Sequence, residues 1–435
     1  MNSQALSRGE CAPRAQALAR TRAVSLSVRA ARALLHRRLA CIAWGRLAIA
    51  DELATTEFGR AGGAEEPSVR IDVRDPRLYL DVARAGSVGA GEAFVAGRWT
   101  CSDLPALARI FVRNRDVLNG LERGPARLGA AVLGWWHARR DNTRDGSRAN
   151  IAAHYDLGNS FYALFLDPTR MYSCAWYERE DMSLEEAQRA RLDRICDKLA
   201  LRPNDHLLEI GTGWGGFAVH AARTRGCRVT TTTISREQHA YATERVRAAG
   251  LEARVRVLLE DYRDLDGRYD KLVSIEMVEA VGERWLDTYF ERCSALLLPH
   301  GQMLLQAITI RDQHYAQALR SVDFIQRHVF PGSFMPSIAA LTDRVARRTD
   351  MVVAHLEDIG PHYARTLRAW RTRFLARRAE ARALGYDESF LRLWEYYLAY
   401  CEGGFAERAL GDVQLLLEKP LCRREPYSGA GARVR

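Results

Sequence analysis

One ten-residue stretch, Leu207–Gly216, constrains the fold of this chain more than any other feature. Leu207-Leu208-Glu209-Ile210 is apolar apart from one acid. It runs into Gly211-Thr212-Gly213-Trp214-Gly215-Gly216, and a helical segment follows over Phe217–Thr224. A buried strand, a glycine turn and a helix, in that order, open a doubly wound α/β sheet. Gly211 and Gly213 let the backbone approach a ligand where a Cβ would clash. That ligand would sit beyond the carboxyl ends of the strands, at the switch point of the sheet.

The chain after Asn150 has the alternation such a sheet needs. Strands are predicted at His206–Ile210, Arg228–Thr233, Val255–Leu259, Lys271–Ile275 and Met303–Ile308, with a helix at Arg236–Ala248. This implies right-handed βαβ units and a parallel sheet covered on both faces. Later strands at Val352–Leu356 and Val413–Glu418 could complete it. Residues 309–350 exceed what a minimal domain of this kind needs, and they carry Phe330-Pro331-Gly332 and Met335-Pro336-Ser337. They read as a cap over the substrate site. The expected fold class is α/β: a doubly wound, Rossmann-like domain over residues 146–425, with a smaller N-terminal domain over 61–145. Within the latter, residues 60–68 read as a linker, Val69–Val73 as a strand, Pro76–Ala85 as a helix broken by Gly86, Gly89 and Gly91, and Asp103–Val112 as a second helix. Arg139–Ser147 reads as the linker between domains.

Residues 1–60 read as a basic arm and linker. Between Glu10 and Asp51 there are eight arginines and no acid, within a net charge of +10. Leu26, Ala30, Ala33, Leu34 and Leu39 could share one helical face, with Arg29, Arg32 and Arg37 elsewhere. Such a helix can lie on an anionic membrane surface; the alternative is a solvated arm. No run approaches the roughly 20 apolar residues of a membrane span, and the early arginines leave no room for a signal-peptide core. A cytoplasmic protein, peripherally attached to the inner face of the membrane, is therefore expected. Nine cysteines without a C-x-x-C pair suggest reduced thiols rather than a disulfide framework or a zinc site.

The acid at Glu209, just before the glycine turn, favours S-adenosylmethionine over a dinucleotide as the ligand. One common feature is missing. Where many such enzymes end the second strand with an acid for the ribose, this strand ends Thr231-Thr232-Thr233. Thr233 and Gln238 are the candidate substitutes.

Several segments, in order, resemble the cyclopropane fatty acid synthases, including the mycolic acid cyclopropane synthases. They are His154–Asn159, Met171-Tyr172-Ser173-Cys174-Ala175, the glycine loop, Thr233–Gln238, Ser274-Ile275-Glu276-Met277-Val278-Glu279-Ala280-Val281-Gly282, His362–Leu367, Tyr396-Tyr397-Leu398 and Glu402-Gly403-Gly404-Phe405. The Ser87–Trp99 stretch is similar to the N-terminal domain of the longer bacterial and plant members. The resemblance implies that Tyr172, Ser173, Gly211, Gly213, Thr233 and Gln238 contact S-adenosylmethionine, with Asp261 and Tyr262 beside the adenine. It also implies a bicarbonate ion near the reacting carbon, held at Cys174, Glu279, Gln306, Ile308 and Tyr363. Gln306 is a departure, because many bacterial members have His there; the plant-like branch resembles this chain.

The reaction so implied needs no metal. The π bond of a cis-unsaturated phospholipid acyl chain takes the sulfonium methyl, a carbocation forms, and loss of a proton closes a cyclopropane ring. The base would be bicarbonate held by Glu279 and Tyr363. Cys174 would contribute backbone placement, not a nucleophile. Methyl-branched or methylene lipids, a small-amine acceptor, and a non-catalytic lipid-binding relative are the other functions considered. Unsaturated acyl chains at an anionic membrane surface are the expected partner, with no nucleic acid; a homodimer is admitted rather than required. The helically spaced Leu391, Trp394, Tyr397 and Leu398 read as core.

Overall fold

A computed structural model describes residues 25–60, 62–63, 66–121, 146 and 157–423. In chain order the N-terminal unit contains α1 (Leu26–Leu39), β1 (Arg46–Ala50), β2 (Thr55–Gly59), β3 (Ser68–Val73), α2 (Arg77–Val95), β4 (Trp99–Cys101), α3 (Leu104–Arg113) and α4 (Arg115–Leu121). Its sheet has the order β2-β1-β3-β4, with β1 and β3 parallel and the outer pairs antiparallel.

This corrects the reading of residues 1–60 as an arm and linker. From Ser25 onward they belong to the small domain, because β1 lies inside its sheet and Leu47 and Ile49 enter its core. The buried stripe of α1 is Val28, Ala31, Leu35 and Leu39, whereas Leu26 and Leu34 are 84% and 47% exposed. Of the predicted apolar face only Leu39 points inward, and Arg32 is tied to Asp51 at 2.5 Å. The helix break is also narrower than expected. Ala85 and Gly86 kink α2, which then resumes through Gly89 and Gly91. The predicted linker at Arg139–Ser147 lies outside the described residues except for Gly146, as do His154, Tyr155 and Asp156.

The larger domain follows with α5 (Asn159–Tyr162), α6 (Leu184–Lys198), β5 (His206–Ile210), α7 (Gly216–Arg225), β6 (Arg228–Thr233), α8 (Arg236–Ala248), β7 (Val255–Leu259), β8 (Tyr269–Ile275), α9 (Leu286–Leu296) and β9 (Leu297–Ile310). Three helices fill the predicted cap region: α10 (Asp312–Ala318), α11 (Phe324–His328) and α12 (Ile338–Arg348). The chain then forms β10 (Val352–Asp358), α13 (Gly360–Ala376), α14 (Arg378–Ala383), α15 (Glu388–Ala406) and β11 (Leu410–Glu418). The sheet order is β10-β11-β9-β8-β5-β6-β7. The five strands from β9 to β7 are parallel, as the alternation predicts; β11 and β10 join antiparallel. The order reverses between β5 and β8, so the carboxyl ends of these two strands flank the expected ligand crevice.

The two domains share a packed boundary. Glu407, nearly buried at the end of α15, takes Arg109 and Arg113 from α3. Tyr396 of α15 packs between Phe94 of α2 and Phe324 of α11. Glu92 binds His328 at 3.0 Å, which ties α2 to the cap.

Candidate active site

A cavity of about 550 Å³ begins at the β5–α7 glycine turn, passes the ends of β8 and β9, and reaches the core of the small domain at Leu39, Ile49 and Leu78. Tyr172, Ser173, Gly211, Gly213, Thr233, Gln238, Asp261 and Tyr262 all line it. So the structure brings the eight residues predicted for the cofactor to one wall.

The features of that wall fit a bound nucleoside. Gly213 has φ +52°, and a Cβ built there would meet nothing within 4 Å, so the space in front of this turn is open to a ligand. The Ser173 hydroxyl is buried without a partner, a donor and acceptor awaiting one. Glu209 is buried and accepts the Thr231 hydroxyl at 2.6 Å; burial raises its pKa to about 8. Thr233 donates to Gln238 Oε1 at 2.9 Å, so the two substitutes for the missing acid form a single polar unit. An acid does line this part of the cavity, but one strand further on, at Glu260 after β7. Its neighbour Asp261 is held by Arg263, with Nη2 at 2.7 Å, and the Tyr172 hydroxyl meets that of Tyr397 at 2.8 Å.

The second half of the site is a half-buried carboxylate that faces the cavity. Glu276, just past the end of β8, accepts the Cys174 N–H at 2.8 Å and Gln306 Nε2 at 2.7 Å on Oε1, and the Tyr363 hydroxyl at 2.5 Å on Oε2. Glu279 lies one turn on. Its Oε1 accepts the Ile308 N–H at 2.5 Å and its Oε2 has no partner. Asp412 of β11 completes the group and accepts Gln306 Nε2 at 3.1 Å. Burial raises all three acids. Glu279 reaches about 8, pushed further by the nearby Glu276. Asp412 is held well above its ordinary value, by burial and then by Glu276. Glu276 is also raised, by burial, although the Tyr363, Cys174 and Asp412 hydrogen bonds and the buried Arg191 each oppose the rise. Burial therefore favours the protonated form at Glu279 and Asp412, and of the three acids Glu276 has the donors that best support an anion.

This arrangement differs from the expectation that Glu279 and Tyr363 together hold an ion: Tyr363 and Gln306 both serve Glu276. The residues predicted to hold bicarbonate do converge, but at Cys174, Gln306 and Tyr363 the donors are engaged by a side chain of the protein. Those three do not fit an additional ion. Cys174 has its thiol fully buried and its pKa raised by that burial, in keeping with a backbone role only. Sequence reasoning missed Glu276 although the motif Glu276-Met277-Val278-Glu279 was in view. The available signal was a second acid three residues from the first, beyond a strand end that faces the ligand crevice. Leu391, Trp394, Tyr397 and Leu398 are buried as predicted, although Tyr397 also lines the cavity.

A glycine turn at the switch point and an open nucleoside wall define the class: an S-adenosylmethionine-dependent methyltransferase. Comparison with known proteins narrows it. The family model for mycolic acid cyclopropane synthetase matches residues 142–415. The chain is 38% identical over 376 residues to tuberculostearic acid methyltransferase UfaA1 of Mycobacterium tuberculosis, covering 82% of this chain and 86% of that one. It is 37% identical over 371 residues to cyclopropane-fatty-acyl-phospholipid synthase of Escherichia coli, covering 84% and 91%. Among solved structures, mycolic acid cyclopropane synthase CmaA1 complexed with SAH and CTAB matches with a TM-score of 0.59 and 33% identity, over 62% of this chain and 98% of that one. The chain belongs to the mycolic acid cyclopropane synthetase family.

Two predictions follow from the geometry. Gly213→Val would put a branched side chain into the open space and force a β-branched residue to φ +52°. Calorimetric titration with S-adenosylhomocysteine should show binding lost while a cooperative melt persists; unchanged affinity would contradict the assignment. The second concerns pH. The Glu279 carboxyl is raised to about 8 in the fold, against about 4.3 in an unfolded chain. The folded state therefore keeps a proton that the unfolded state sheds, so this group's contribution to stability is full below about pH 4.3 and is lost as pH rises through 8. The melting temperature of the ligand-free protein should fall more steeply between pH 5 and pH 8.5 than that of Glu279→Gln. Parallel curves would show that Glu279 ionises normally.

Proposed function

We propose that this enzyme transfers a one-carbon unit from S-adenosylmethionine to the double bond of an unsaturated phospholipid acyl chain and forms a cyclopropane ring. The observation that carries this reading is the continuity of the cavity. One space joins the glycine turn, the acids Glu276 and Glu279 and the apolar core of the small domain. A nucleoside occupies the first part and a long apolar chain the last, so a mid-chain double bond lies between them.

The chemistry suits the lining. The alkene π pair forms the new C–C bond to the sulfonium methyl, and the S–C pair leaves with sulfur. The neighbouring alkene carbon becomes a cation. Tyr172, Phe330, Tyr363, Tyr397 and Phe405 line this space, and ring quadrupoles attract positive charge. A bound acyl chain would have to keep out water that could trap the cation. A proton then leaves the new methyl group, and its C–H pair closes the ring. Glu276, at the end of β8, is the carboxylate this reading assigns to receive it. No step here is routed through bicarbonate, since three of the donors assigned to that ion are already engaged.

A second reading, a methyl-branched or methylene product, is favoured by the 38% identity to a relative named for methylating a fatty acid. A methylene product ends on the same proton loss; a saturated methyl branch needs a hydride from a reductant in addition.

Membrane attachment is part of the proposal. The outer face of α1 exposes Leu26, Ala30, Ala33 and Leu34 beside Arg29 and Arg37. It is an apolar strip flanked by cations, suited to an anionic bilayer. Among the described residues no helix is long and apolar enough to cross a membrane.

The test is purified enzyme with labelled cofactor and cis-unsaturated anionic phospholipid vesicles, with products separated as cyclopropane, methylene and methyl forms. A cyclopropane product is expected, and Arg29→Glu/Arg37→Glu should slow turnover on vesicles at low salt more than at high salt. Label appearing only in methyl-branched or methylene chains would favour the second reading. Label entering only a small amine would overturn both.

A further inference from the structure

The resemblance assigns a bicarbonate ion to Cys174, Glu279, Gln306, Ile308 and Tyr363, yet three of these donors converge on Glu276. We propose that the carboxylate of Glu276 stands in the place of the ion and is itself the base for ring closure. This rests on the acyl-chain reading above and deepens it.

The match is one of shape as well as position. A carboxylate presents the same planar pair of oxygens as bicarbonate. Here that pair collects one backbone N–H, one amide N–H and one phenol, at 2.8, 2.7 and 2.5 Å. A free ion cannot take these donors while Glu276 holds them.

The backbone has been bent to achieve this. Glu276 has φ +48°, one of four non-glycine residues with positive φ among the described residues. Glycine would occupy that conformation without strain. A long acidic side chain held there against its own backbone preference points to a role for the carboxylate.

Gln306 fits the same arrangement. Its Oε1 accepts Gln414 Nε2 at 3.1 Å, which turns its Nε2 towards Glu276. A neutral amide positions the carboxylate without neutralising it, whereas an imidazolium in that place would form an ion pair and lower its basicity. Glu279 is the weaker candidate for the base. With one N–H donor and a bare oxygen, it is stabilised as the acid.

The step balances. After methyl transfer the cation lies beside the new methyl group. An oxygen of Glu276 takes one methyl proton, the C–H pair closes the ring, and the protonated carboxyl later returns the proton to solvent. The products are the cyclopropane chain and S-adenosylhomocysteine.

Glu276→Gly relieves the strain and opens an ion-sized space before the same donors. Wild type and variant, each saturated with S-adenosylhomocysteine, are titrated calorimetrically with sodium bicarbonate against a sodium chloride control. Turnover on the vesicles is then compared in carbon-dioxide-stripped buffer and with bicarbonate restored. Wild type should bind no bicarbonate and turn over equally in both buffers. Glu276→Gly should lose roughly a hundredfold or more in rate when stripped, bind bicarbonate, and recover much of the loss with it. Glu276→Gln fills the same space and should be slow with or without bicarbonate. Saturable bicarbonate binding by wild type, a severalfold fall in its rate on stripping, or a wild-type rate in Glu276→Gln would each overturn the proposal. If neither form labels an acyl chain, the acyl-chain reading fails, while the calorimetry still decides whether Glu276 fills the ion's place.

Discussion

The site depends on one half-buried carboxylate, Glu276, and the three donors that satisfy it. A carboxylate taken out of water is costly unless hydrogen bonds replace its hydration. Here the replacements come from separate parts of the chain. The loop before α6 supplies Cys174, β9 supplies Gln306 and α13 supplies Tyr363, all meeting a residue at the end of β8. A further layer orients them. Gln414 on β11 lies opposite Gln306 in the sheet register, and Lys198 of α6 donates to Gln414 at 2.6 Å. The antiparallel strand that a minimal doubly wound sheet lacks thus fixes the direction of the Gln306 amide. Left-handed backbone at Glu276 costs on the order of 1–2 kcal/mol, small beside the several kcal/mol at stake when a buried ion loses its partners.

From this point the rest of the molecule can be read as a means of bringing reactants to the carboxylate and keeping water away. The glycine turn places a nucleoside on one side. The small domain places apolar surface on the other and is docked by Glu407, Tyr396 and Glu92. The cap closes over the middle, and the Phe334 N–H donates to the backbone carbonyl of Glu279 at 3.0 Å, so the lid is fastened beside the acids. Aromatic rings supply the lining that a short-lived cation needs, and they do so without offering a nucleophile.

The central sheet was legible because its inner strands are apolar runs buried on both faces and its strands are punctuated by turns. The bounds of β6, α8 and β7 agree with those expected from the residues. The cofactor wall was legible because local glycine chemistry and a short ordered set of motifs define it. The small domain was harder to read. Apolar residues occur on both sides of α1, so composition could not say whether Leu26 or Val28 faced inward; the tertiary packing of α1 against α2 and α4 decides it. The partner of Tyr363 was hidden for a similar reason. Glu276 and Glu279 are three residues apart after a strand, and only the tertiary approach of α13 and β9 distinguishes the acid with donors from the acid with a bare oxygen.

The most direct test is a high-resolution crystal structure of the S-adenosylhomocysteine complex grown in bicarbonate. The account predicts continuous density for the Glu276 side chain up to a carboxylate in contact with the Cys174 N–H, the Gln306 amide and the Tyr363 hydroxyl. A separate planar ion on those three donors, with the Glu276 side chain turned away, would contradict it.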